Sequence, residues 1–153
     1  DLCKFRARVE SVTHASSGMH TKFLLLGAIS AFIGVAAGAF GAHGLEARLT
    51  ADLLAVYETG VRYELFHAVA LLFVGLAAER WPAARWGRTG WMFLVGTVLF
   101  SGSLYALALT GERWLGAVTP LGGVCFLAGW IFAAMAALRS ASSDPGAASP
   151  GAE

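Results

Sequence analysis

The chain has 153 residues, of which 57% are hydrophobic and 14% charged, with a net charge of +1. Soluble domains carry about 25% charged residues, so this composition excludes an ordinary water-soluble protein. The near-neutral balance also argues against nucleic acid as a partner, because such partners demand a basic footprint.

Residues 1–21 are polar and aperiodic and are expected to form a disordered N-terminal extension. Met19 stands just before Lys22 and the first apolar run, which makes it a candidate natural start. A signal peptide is the alternative, with Lys4, Arg6 and Arg8 as its positive region and a cleavage site near Ala37–Ala39. The length of the apolar run and its glycine spacing favour a permanent helix.

The membrane domain is expected over residues 22–139, with spans near 23–42, 61–78, 90–110 and 118–138. About 20 apolar residues cross the roughly 30 Å hydrocarbon layer as a helix. In the first span Gly34, Gly38 and Ala42 recur every four residues and mark a face for close helix approach. Gly44 is a natural stop. The polar stretch from His43 to Gly60 holds two candidate caps, Thr50 and Asp52. Leu53, Leu54, Val56, Tyr57 and Val61 give it an apolar side, so it is expected to lie at the interface and run into the second span.

The second span is the least regular. Its clean apolar part, Leu65 to Ala78, has only 14 residues, and extension back to Val61 admits Arg62, Glu64 and His67. The loop after it carries three arginines, two tryptophans and Pro82, which suit a headgroup layer. The third span contains Thr97, Ser101, Ser103 and Tyr105, and the turn from Gly111 to Trp114 follows. Thr119 is the expected cap of the fourth span, with Pro120 in its first turn. Gly122, Cys125, Gly129, Ala133 and Ala136 form a small-residue stripe, and residues 140–153 are expected to be a disordered cytoplasmic tail. Cys3 and Cys125 define neither a disulfide framework nor a zinc pattern.

With the N-terminus inside, the inner side carries eight Lys and Arg residues and the outer side three; without residues 1–18 the ratio is five to three. Both counts place the two termini in the cytoplasm.

Four segments carry a family resemblance: GAFGAHGL at 38–45, YETGVRYELFHAVALL at 57–72, FSGSLYALALTG at 100–111 and TPLGG at 119–123. Between Met19 and Leu138 the chain resembles the YgdD-like small bacterial membrane proteins, a domain of unknown function with eukaryotic mitochondrial relatives. The resemblance implies a four-helix membrane protein and no activity.

These readings combine into an all-α bundle of four transmembrane helices in a bacterial plasma membrane, N-in and C-in. A polar cluster of His43, Glu46, Arg62, Tyr63, Glu64, His67, Ser101, Ser103 and Tyr105 is expected on the outer side, with Gly34, Gly38, Gly102, Gly122 and Gly129 as helix-packing positions. The plainest reading of the cluster is structural, a set of interhelical hydrogen bonds. A proton-coupled transporter or channel-like oligomer using Glu64 and His67 is the alternative, since ionisable residues inside a span are functional candidates. Four helices enclose little space, so a transport path would require a homo-oligomer; a membrane-protein partner is the other association left open.

Glu64-x-x-His67 looks like half of a di-iron motif, but spans three and four supply no carboxylate or histidine. Two histidines, His43 and His67, could hold a non-covalent haem. Ser101 and Ser103 lack a Gly-x-Ser-x-Gly elbow, and no Walker pattern is present. The expectation is therefore no catalytic residue, metal or cofactor, with the lipid bilayer as the one assured partner.

Overall fold

Four apolar segments separated by Gly, Pro and polar turns give four helices in a computed structural model, which describes the backbone of residues 2–142 and the side chains of residues 18–141. The helices are α1 (Leu2–Phe40), α2 (Ala51–Arg80), α3 (Gly87–Thr110) and α4 (Thr119–Ser142). Each contains a stretch long and apolar enough to cross a membrane. Each helix packs on the next in chain order, and α1 also touches α3. The tail beyond residue 142 lies outside the described residues.

Helix α1 reaches back to Leu2, where an irregular extension was expected. No Gly or Pro occurs between Leu2 and Ser17, so nothing in that stretch breaks a helix. At its other end α1 widens into a π turn, Gly41–Leu45, containing two glycines, instead of stopping at Gly44. Helix α2 is continuous through the segment expected at the interface. Thr50 is its cap: the side-chain Oγ1 accepts from the Leu53 N–H at 3.4 Å. Helix α3 ends at Gly111, whose φ of 77° is left-handed and whose N–H donates to the Leu107 carbonyl at 2.8 Å.

Glycines govern how closely the helices pair. A Cβ at Gly27 would lie 2.9 Å from the Leu72 backbone nitrogen, and one at Gly34 would lie 2.8 Å from Leu65 Cδ2. One at Gly38 would meet Val61 at 3.3 Å. Between α3 and α4, a Cβ at Gly122 would run into the Phe100 backbone, and one at Gly129 would lie 2.6 Å from the Phe93 ring. Four of the five expected packing glycines thus sit at helix contacts. Gly102 does not: among the described residues nothing lies within 4 Å of its would-be Cβ. It occupies the outward side of α3, and its small size alone does not mark a helix contact.

The main core gathers Phe23, Leu71, Val74, Phe93 and Phe126 from all four helices. A smaller cluster of Leu45, Tyr57 and Ala108 closes the end where the π turn lies. Large apolar side chains also cover the outside, with Phe32 75% and Leu138 72% exposed. Water would not tolerate so much contiguous apolar surface, whereas lipid is its natural solvent, and the molecule is a multi-pass membrane protein.

Candidate functional site

Glu64 is the most deeply set carboxylate of the expected cluster. It lies on α2, about 20 Å from the start of that helix at about 1.5 Å per residue, and is 5% exposed. Both of its oxygens accept from hydroxyls. Tyr105 of α3 donates to Oε2 at 2.7 Å, and Ser30 of α1 donates to Oε1 at 3.4 Å. One side chain therefore joins three helices. Gly34 makes room for it: the would-be Cβ of Gly34 is 3.5 Å from Glu64 Cγ.

Tyr57 extends the network toward the π turn. Its hydroxyl donates to the Ala37 carbonyl at 3.1 Å, and its ring lies 4.9 Å from that of Tyr105. A second glycine, Gly60, brings α2 close to Tyr105, with its would-be Cβ 2.9 Å from the ring.

His67 is one turn further along α2 and is equally buried. Its Nδ1 lies 2.8 Å from the Tyr63 carbonyl. A carbonyl can only accept, so Nδ1 carries a proton, which leaves Nε2 as the ring's other polar atom. That Nε2 is buried without a partner among the described residues, as is Ser101 Oγ on α3. The imidazole is enclosed by aromatic rings: Phe126 stacks on it at 3.5 Å and 10°, and Phe93 meets it edge-on at 5.3 Å.

The other expected members separate from this centre. Ser103 faces α4, where its hydroxyl pairs with that of Thr119 at 2.8 Å and also donates to the Phe100 carbonyl. Thr119 thus serves as an interhelical partner, while Thr97 bonds to its own helix at the Phe93 carbonyl. Tyr63 is 40% exposed and lays its ring 4.5 Å from Phe100. His43, Glu46 and Arg62 are exposed. Chain proximity to one end of the bundle suggested that they join the cluster, but each can stay solvated and so does not enter it.

The haem reading fails on the same geometry. His43 sits in the π turn, whereas His67 is about 24 Å along α2 by helical rise and its ring is covered by Phe126. The structure does not bring the two histidines to one site. Among the described residues no three His, Cys, Asp or Glu side chains gather as a metal site.

Two members were missed in the sequence. Ser30 lies four residues before Gly34 and eight before Gly38, on the same face, so the glycine period itself pointed to it. Tyr57 was read only as part of an apolar side, although a buried tyrosine hydroxyl needs an acceptor.

Comparison with known proteins agrees with the architecture. The family described as "Protein of unknown function (DUF423)" matches residues 37–123. The chain is 47% identical over 118 residues to the UPF0382 membrane protein YwdK of Bacillus subtilis, covering 76% of this chain and 96% of that protein. It is 46% identical over 123 residues to the UPF0382 inner membrane protein YgdD of Escherichia coli K12, covering 79% and 93%. A UPF0382 membrane protein of Haemophilus influenzae is 46% identical over 125 residues, covering 81% and 99%. No solved structure matches. With the four-helix fold and these relatives together, the chain belongs to the DUF423 family of small membrane proteins, whose function is unknown.

Proposed function

We propose that this chain is a structural or accessory protein of the bacterial plasma (inner) membrane, with both termini in the cytoplasm and no catalytic activity. The observation that carries this reading is the double engagement of Glu64. Both oxygens are held by hydroxyls from neighbouring helices, which is what a group that locks helices together requires. Ser103 is bonded to Thr119 and not to an imidazole, which supports the non-catalytic part. Among the described residues Lys22, Arg80, Arg85, Arg88 and Arg139 share one end with Glu79, while the other end carries Arg48, Arg62 and Arg113 with Glu46, Asp52, Glu58 and Glu112. That asymmetry supports the orientation.

A second reading, a proton-coupled transporter working as a homo-oligomer, draws on the unpartnered Nε2 of His67. The two are separated by reconstituting Glu64→Gln and His67→Ala in liposomes and measuring proton flux alongside thermal unfolding in detergent. A structural centre gives variants of lower stability and unchanged flux. Intact stability with a lost flux would replace it with the transporter.

A further inference from the structure

At the end of the bundle opposite the π turn, a cavity of about 260 Å³ lies between α2, the Pro82–Ala84 turn and α4. Phe73, Trp81, Trp86 and Ala137 line it. Phe73 and Ala137 are exposed, so it opens onto the lipid-facing surface. Small-molecule pockets run to about 300–1,000 Å³, so this one has room for part of a lipid and not for a whole molecule.

The turn that carries the two lining tryptophans is rich in positive charge. The Arg80 guanidinium lies over the Trp81 ring at 5.3 Å. Arg85 precedes Trp86 directly and Arg88 follows two residues later; both are exposed. Glu79 is the acidic residue of this turn. Trp86 also precedes the first residue of α3, and its side chain makes no capping bond there. The Gly90 N–H is bonded to the Trp86 carbonyl at 3.2 Å, and the amides of residues 87–89 lie ahead of that bond, at the positive end of the helix. Trp86 is 3% exposed, and its Nε1–H is buried without an acceptor among the described residues. Trp86 is common to these features: it lines the cavity, carries the orphaned indole donor, follows Arg85 directly and precedes the uncapped start of α3.

We infer that this cavity binds an anionic phospholipid, its phosphate held by Arg85, Arg88 and the N-terminus of α3 and the start of one acyl chain lying against Phe73 and Ala137. Basic pockets between membrane helices on one leaflet recognise charged headgroups in this way. The site shares no residue with the Glu64 network and stands or falls independently of it.

The test is native mass spectrometry of the full chain in detergent with phosphatidylglycerol, phosphatidylcholine or inorganic phosphate added. Phosphatidylglycerol is expected to remain bound at least tenfold more than phosphatidylcholine. Arg85→Gly and Arg88→Gln should each weaken its retention about fivefold, the effect of one basic residue near a charged lipid surface. Arg85 has a left-handed φ of 61°, so Gly keeps the backbone while removing the charge. Should Arg88→Gln fail to fold, Ala137→Trp fills the cavity from its exposed side and is expected to displace the lipid. Equal retention of the two lipids, unchanged retention in these variants, or displacement of the lipid by millimolar phosphate would each overturn the assignment.

Discussion

Replacing Tyr105 by Phe removes the shorter of the two hydrogen bonds to Glu64 and leaves a buried oxygen without its donor. Interhelical bonds in membranes are worth about 0.6–1.7 kcal/mol, so denaturant unfolding of Tyr105→Phe should show a loss of about 1 kcal/mol. Ser30→Ala, which removes the 3.4 Å bond, should lose less. A reversed order would show that Ser30 is the main support of Glu64. Both variants keep the side-chain envelope nearly unchanged, so the loss reports the bond and not the packing. Glu64 was visible in the sequence because a carboxylate inside an apolar run is conspicuous. Ser30 was not, because a hydroxyl in a span satisfies itself on its own helix as often as on a neighbour, and its partner lies 34 residues away.

At the scale of the helix, the glycines make opposite predictions according to which side of α3 or α4 they occupy. Gly122→Ala places a methyl group against the Phe100 backbone and should cost about 1–3 kcal/mol as overpacking. Gly102→Ala meets open space and should stabilise α3 by about 0.5–1 kcal/mol through the better helix propensity of Ala. Thermal unfolding of the two variants side by side checks both signs. Thr50→Ala should cost about 1 kcal/mol and speed amide exchange at Leu53, whose N–H the Thr50 side chain accepts. Helix positions were legible because hydropathy summed over some 20 residues outweighs any single polar side chain. Whether a small residue faced a helix or lipid was not legible, since Gly102 and Gly122 look alike in the sequence and differ only in which way they point. The join of the interfacial segment to α2 was half legible: Thr50 announced the start, and no Gly-Pro pair interrupts the run to Arg80.

For the whole molecule, the orientation proposed from the charge asymmetry has a direct test. In a chain freed of Cys3 and Cys125, Glu112→Cys should react with a membrane-impermeant maleimide on intact cells, and Ala83→Cys only after lysis. Both positions are exposed and lie in turns at opposite ends of the bundle. Labelling in the reverse order would invert the topology and move the arginine-rich turn to the outer leaflet. The expected cluster was drawn too large at this scale because one end of a bundle was treated as one environment. His43, Glu46 and Arg62 reach water from that end, whereas Glu64 and His67 lie below it among packed helices.

Helix α2 has 30 residues and α3 and α4 have 24 each, lengths of about 45 Å and 36 Å. A hydrocarbon layer of about 30 Å suits the shorter pair, so the first turns of α2 form an overhang beyond the acyl chains. Membrane thickness then becomes a variable of this molecule. In bilayers of short-chain lipid, more of residues 51–60 should emerge and exchange their amide hydrogens faster. In long-chain bilayers the same residues should be drawn toward the hydrocarbon and slow down, as hydrophobic mismatch requires.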